Sequence, residues 1–265
     1  GGSGSMLTCS NTIKYITINR NSLKLMPKCD QFVKDEIKSN DFSQVHFSHK
    51  HPREMKSDAD TVMEELILEQ LLPTGIPVLS EESGELSKGS RTSHMRFVVD
   101  PLDGTVNFVR ELAPCSISIA LCNKMQPIFG VLMIYPSGTL AWGGKEIGSF
   151  LENIPISVSS FTDCSQSILC TGFPSRYRFD DKNTFEKQTA MMSKFGKVRM
   201  LGSASNSLLQ VAKGSAEAYS EQEIMFWDVA AGLALVEGAG GKTEINHGST
   251  EHATNVIATN GFIEL

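Results

Sequence analysis

Asp100 and Asp103 stand three residues apart in the stretch Val99-Asp100-Pro101-Leu102-Asp103-Gly104-Thr105-Val106-Asn107-Phe108, and the residue types around them suit a metal-binding loop. The apolar run Phe97-Val98-Val99 reads as a buried strand, which puts Asp100 at the strand's C-terminal end, where the chain leaves the core. Pro101 fixes the backbone beyond it, and Gly104 allows a tight turn that a Cβ would obstruct. Such a loop can aim both carboxylates and an intervening carbonyl at one point. Hard divalent cations such as Mg²⁺ need that kind of oxygen cluster. Asp-Gly pairs are also ordinary turns, so this loop alone leaves both readings open.

Two further segments add carboxylates. Ser80-Glu81-Glu82-Ser83-Gly84-Glu85 is an acidic turn after the strand-like Ile76-Pro77-Val78-Leu79. Phe226-Trp227-Asp228-Val229-Ala230-Ala231-Gly232 opens a helix-like apolar run with Asp228 in its first turn, where the helix N-terminus favours an anion. Glu82, Asp100, Asp103 and Asp228 together would supply four carboxylates, enough for two or three cations.

The elements that must position these residues are partly readable. Ser57-Asp58-Ala59-Asp60 opens a helix whose Val62, Met63, Leu66, Ile67 and Leu71 recur at helical spacing, ended by Pro73 and Gly75. Residues 115–122, 127–135 and 139–142 read as an antiparallel meander with a turn at 136–138. Beyond Ser160 strands and helices alternate: strand 167–170, helix 183–195, strand 198–200, helix 203–212, strand 216–220, helix 228–237, then strand 255–258. That alternation indicates an α/β layered second half. Residues 12–18 read as a strand and 27–37 as an amphipathic helix.

Composition excludes several classes. The chain has 265 residues, 40% of them hydrophobic, and a formal net charge of −6 with both signs mixed along it. No basic stripe for nucleic acid is present, and no apolar run approaches a membrane span. Gly1-Gly2-Ser3-Gly4-Ser5 before Met6 reads as a cloning remnant. Six cysteines without CxxC spacing (Cys9, Cys29, Cys115, Cys122, Cys164, Cys170) read as free thiols of a cytoplasmic protein. His46, His49 and His51 match no ligand spacing and read as a solvated loop. Gly240-Gly241-Lys242-Thr243 imitates the end of a P-loop, but the earlier glycine is missing and the segment follows a helix.

An EES turn, a DPLDGTxNF loop and a WDxAAG helix start, in that order, resemble the inositol monophosphatase family of Mg²⁺-dependent phosphatases, over about residues 50–260. The resemblance implies a five-layer αβαβα sandwich of the inositol monophosphatase and fructose-1,6-bisphosphatase type. Residues 6–145 would carry the main metal loops and 146–265 the last ligand, as one compact unit. It implies that Glu82 and Asp100, with the Leu102 carbonyl, hold one Mg²⁺, and that Asp100, Asp103 and Asp228 hold a second. A third, weak ion would share Glu82 through water, which also makes Glu82 part of the catalytic set. Mn²⁺ would substitute, and Li⁺ and Ca²⁺ would inhibit. Thr105, paired with Asp60, would orient the attacking water, and the Gly104 and Thr105 amides would hold the phosphate. Ala204, Glu221 and Asp228 would meet the substrate hydroxyls. The family's mobile-loop lysine matches Lys50, with Lys56 as competitor.

The implied activity is hydrolysis of a small polyol or sugar monophosphate by a homodimer without nucleic-acid or membrane partners. Arg176, Arg178 and Arg199 could instead serve a second phosphate, as in fructose 1,6-bisphosphate or a 3′-phosphonucleotide. A non-catalytic relative that binds metal or a partner protein is the alternative of another class. The chain stops at Leu265, shortly after its last strand, where relatives usually continue into a closing helix.

Overall fold

The computed structural model describes residues 46–47, 55–86, 94–112 and 114–265. Lys50, His49, His51, Cys9, Cys29 and the elements expected over 12–18 and 27–37 lie outside the described residues. A short ribbon pairs β1 (His46–Phe47) with β2 (Met55–Lys56). Helix α1 (Asp58–Leu71) follows, and Pro73 in a closing 3-10 turn and Gly75 at φ +74° end it.

The large sheet contains β3 (Val78–Ser80), β4 (Gly84–Leu86), β5 (Met95–Asp103), β6 (Cys115–Asn123), β7 (Gln126–Tyr135), β8 (Thr139–Gly144), β9 (Gly148–Leu151) and β10 (Ile154–Ile156). Their order is β10-β9-β8-β7-β6-β5-β3-β4, antiparallel except for the parallel pair β3 and β5. Short helix α2 (Thr105–Val109) leaves the end of β5. The expected meander is present and runs two strands further, through β9 and β10. A second sheet holds β11 (Ile168–Thr171), β12 (Lys197–Arg199), β13 (Ala218–Met225), β14 (Lys242–His247) and β15 (Ala253–Thr259), in the order β12-β11-β13-β15-β14. Helices α3 (Lys182–Ser193), α4 (Ala204–Ala212) and α5 (Phe226–Gly238) accompany it.

Side-chain alternation sets the layers. On β5, Phe97 and Val99 pack with Met63, Ile67 and Leu71 of α1, whereas Val98 packs with α4 and α5; successive strand residues face opposite sides. On β11, Cys170 joins the same central cluster and Leu169 faces Met191 and Met192 of α3. The result is α1, large sheet, α4 with α5, small sheet, α3, the expected αβαβα sandwich. Helix α5 is buried on nearly every side, as a central helix that is apolar all round must be. It approaches the sheet so closely that a Cβ on Gly130 would lie 2.3 Å from the Ala231 carbonyl oxygen.

Strand β14 replaces the P-loop look-alike. Its residues pair with β15 from Lys242↔Thr259 to His247↔Thr254, and the strand lies at a sheet edge, largely exposed.

Candidate active site

The site forms where β3, β5 and β13 end. In the parallel register Ser80 lies opposite Val99, and the Glu81 N–H then donates to the Val99 carbonyl at 3.1 Å. That bond sets Glu81 beside Asp100. Strand β13 passes directly into α5, so Asp228 enters from the other sheet, in the first helical turn. Ligand oxygens of Glu81, Asp100 and Asp228 all lie within 4.8 Å of one another. The cluster therefore uses Glu81 where the sequence reading puts Glu82. The neighbouring Glu82 is not part of the cluster and lies close enough to Asp60 that its charge helps push that carboxyl up. Two adjacent glutamates in a turn look alike in sequence, and only the Glu81–Val99 bond distinguishes them.

Loop 100–105 completes the arrangement. The Leu102 N–H donates to Asp100 Oδ1 at 3.0 Å, and Gly104 takes the left-handed conformation at φ +85° that favours glycine. Asp103 is held from α4: its Oδ2 accepts the Ser203 hydroxyl at 2.5 Å, the Ser205 N–H at 2.9 Å and the Ser205 hydroxyl. Asn107 ties the two segments together, donating to the Pro114 and Leu201 carbonyls at 2.7 Å each. The sequence reading names Ala204 here but misses Ser203 and Ser205. Their signal is the Gly-Ser-Ala-Ser run at a helix start, where hydroxyls cap.

This concentration of acid is electrostatically costly without a cation. Burial, then the charges of Glu81, Asp228 and Asp103, holds Asp100 well above the usual carboxylate range. Burial followed by Glu81 and Asp103 does the same to Asp228. Asp103 is also raised by burial, against the lowering effect of its serine donors. A divalent ion would reverse all three shifts. The donor set fits a hard divalent ion, being all carboxylate and carbonyl oxygen.

Asp60 and Thr105 meet as expected. Asp60 Oδ2 accepts the Ser57 N–H and hydroxyl at 2.8 and 2.7 Å, which fixes the carboxylate at the start of α1. Its Oδ1 lies 3.1 Å from Thr105 Oγ1, which is equally close to the Leu102 carbonyl. Burial, foremost, raises the Asp60 carboxyl.

A cleft of about 180 Å³ opens over the carboxylate cluster, lined by Glu81, Asp100, Leu102, Asp103, Gly104, Thr105 and Asp228 together with Pro174, Ser175, Arg176 and Trp227. Arg176 thus reaches the site, whereas Arg199 is exposed with its guanidinium donating to the Val198 carbonyl. Ala204 and Glu221 do not line this cleft. Ala204 is buried at the first turn of α4, and Glu221 is buried on β13 with Oε2 accepting the Tyr219 hydroxyl at 2.7 Å.

A five-layer α/β sandwich with a carboxylate cluster at its strand ends defines a class of metal-dependent phosphatases. Comparison with known proteins specifies it. The family model described as the inositol monophosphatase family matches residues 18–264. An inositol-1-monophosphatase of Rhizobium meliloti is 34% identical over 213 residues, 77% of each chain. A fructose-1,6-bisphosphatase/inositol-1-monophosphatase of Aquifex aeolicus is 30% identical over 198 residues, 74% of each. Among solved structures, the extragenic suppressor protein SuhB of Bartonella henselae superposes with a TM-score of 0.80 at 26% identity, covering 93% of this chain and 95% of that one. The chain belongs to the inositol monophosphatase family, whose members are phosphoric monoester hydrolases.

Proposed function

We infer that the protein is a Mg²⁺-dependent phosphomonoesterase acting on a small polyol or sugar monophosphate. The observation that carries this reading is the convergence of the Glu81, Asp100 and Asp228 carboxylates on one cleft that Thr105, bonded to Asp60, also lines. Glu81, Asp100 and Asp228 would hold metal, with the Leu102 carbonyl and the Asp103 carboxylate beside them. When bound, divalent cations lower the pKa of water and stabilise the charge developing on a leaving oxygen.

The chain's own groups supply the rest. Thr105 donates its hydroxyl proton to Asp60, leaving its oxygen lone pairs to accept a proton from the attacking water and so orient it. The raised Asp60 carboxyl is suited to share that proton. The first-turn amides of α2 have no intrahelical acceptors, so Gly104 and Thr105 can donate to phosphoryl oxygens and steady them in line with the water. The triad Ser203, Ser205 and Asp103 keeps one carboxylate oxygen committed to α4, which fixes how the other is presented.

A second reading, a bisphosphate substrate, draws on Arg176 in the cleft lining, where a guanidinium suits a second phosphate. The same family reading carries a cytoplasmic homodimer, which light scattering of the purified chain checks. Among the described residues no helix is long and apolar enough to cross a membrane.

The test is phosphate release with and without Mg²⁺ from inositol 1-phosphate, hexose phosphates, fructose 1,6-bisphosphate and adenosine 3′,5′-bisphosphate. Turnover of the monophosphates that Asp100→Asn abolishes is the expected result. Preference for a bisphosphate, lost in Arg176→Ala, selects the second reading. Silence across the panel with metal binding intact overturns both in favour of a binding role.

A further inference from the structure

Glu64 lies one turn after Asp60 on α1, is 4% exposed, and takes no part in the chemistry described above. Its carboxylate spans the acidic turn. Oε1 accepts the Ser80 hydroxyl and, at 3.1 Å, the Ser83 N–H, and Oε2 accepts the Ser83 hydroxyl at 2.5 Å. Those two serines bracket Glu81 and Glu82 in sequence. Among the described residues no basic side chain pairs with Glu64. A buried carboxylate needs donors around it, and among the described residues the three donors to Glu64 come from one four-residue turn. An apolar residue could fill the same space on α1 but could not hold that turn.

The geometry points to Glu64 as a positioning residue that clamps residues 80–83 so that Glu81 presents its carboxylate to the metal. Helix α1 then braces two parts of the site at once. Asp60 aligns Thr105, and Glu64, four residues on, aligns the ligand turn. The inference rests on Glu81 being a metal ligand, but its test does not depend on turnover.

Mn²⁺ binding to the full-length protein is measured by electron paramagnetic resonance, with Mg²⁺ as competitor, for wild type, Glu64→Ala, Glu64→Gln and Ser83→Ala. Glu64→Ala weakens binding about tenfold or more, the usual cost of removing a group that orients a ligand. Glu64→Gln keeps an acceptor for Ser80 and the Ser83 amide and stays within about threefold of wild type. Ser83→Ala, at an exposed residue, falls between the two. Excess Mg²⁺ restores turnover of Glu64→Ala. A folded Glu64→Ala protein with wild-type affinity overturns the role, as does Glu64→Gln falling as far as Glu64→Ala. If Glu64→Ala does not fold, wild-type affinity in Ser83→Ala overturns it. A wild-type chain that binds no Mn²⁺ overturns the metal site itself, which separates the two failures.

Discussion

Glu221 provides a quantitative test of the electrostatics around the site. It is buried on β13 beside Tyr219, and burial, more than the Asp103 charge, moves its carboxyl from 4.5 to about 7 despite the tyrosine hydroxyl's opposing effect. A carboxyl raised in the folded state contributes its stability fully below the unfolded value and loses it as pH rises through the folded one. At about 1.4 kcal/mol per tenfold change in affinity for the proton, the full loss is about 3 kcal/mol. Most of it, about 2.5 kcal/mol, falls between about pH 5 and about pH 8.

Glu221→Gln keeps the shape and a partner for Tyr219 but cannot ionise. In chelator, its stability relative to wild type should therefore climb by about 2.5 kcal/mol over that pH range, which moves the melting temperature by about 5–10 °C for a chain of this size. Urea unfolding followed by circular dichroism at several pH values measures the gap. A gap that stays constant with pH would refute the reasoning, because it would mean that Glu221 ionises at the same pH in the folded chain as in the unfolded one. A gap that widens as pH falls would reverse its sign and refute it equally.

The other predictions concern the site and its frame. Thr105→Val and Asp60→Asn should each lower kcat about a hundredfold or more, with Mn²⁺ affinity retained, because the pair acts on a proton and not on the ion; stopped-time phosphate assays and paramagnetic titration separate the two. Glu81→Gln should raise the Mg²⁺ concentration for half-maximal activity about tenfold or more, and Glu82→Gln much less; the reverse order would restore the ligand that the sequence alone suggests. Gly130→Ala places a Cβ 2.3 Å from the Ala231 carbonyl and should cost about 1–3 kcal/mol, read as a lowered melting temperature in chelator.

The parts of this fold that were legible in sequence are those with a period or a strong breaker. The helix from Asp58 shows its apolar spacing and its Pro73-Gly75 stop, and β5 to β7 show long apolar runs. Strand β14 was not legible, since Lys242, Glu244 and His247 on an exposed edge carry no apolar pattern, and the Gly-Gly before it imitates something else. The site divides in the same way. Asp100, Asp103 and Asp228 each sit next to a residue that fixes the backbone or opens a helix, so their positions follow from local rules. Choosing between Glu81 and Glu82 needs the β3–β5 register, a contact between residues about twenty apart in the chain. Ser203, Ser205 and Glu64 act by reaching across elements; the Gly-Ser-Ala-Ser run marks the two serines as a helix cap but not as partners of Asp103, and nothing local announces Glu64.

That division has a physical consequence for the site. Asp100 and Asp103 belong to the large sheet and Glu81 to the turn after its strand β3, whereas Asp228 belongs to the helix packed between the sheets. Asp103 is in turn bonded to α4. The carboxylates therefore come together only when α4 and α5 are seated, and that seating depends on close approaches such as Gly130 against Ala231 and Gly232 against Leu208. Mutual repulsion and burial of the acids oppose it until a cation arrives. The apolar core, with α5 buried on nearly all sides, must then hold an arrangement that the site's own charges disfavour. Metal binding and core packing are two terms of the same equilibrium: an ion that binds only the assembled cluster stabilises the seated helices, and a core that seats them loosely weakens the ion.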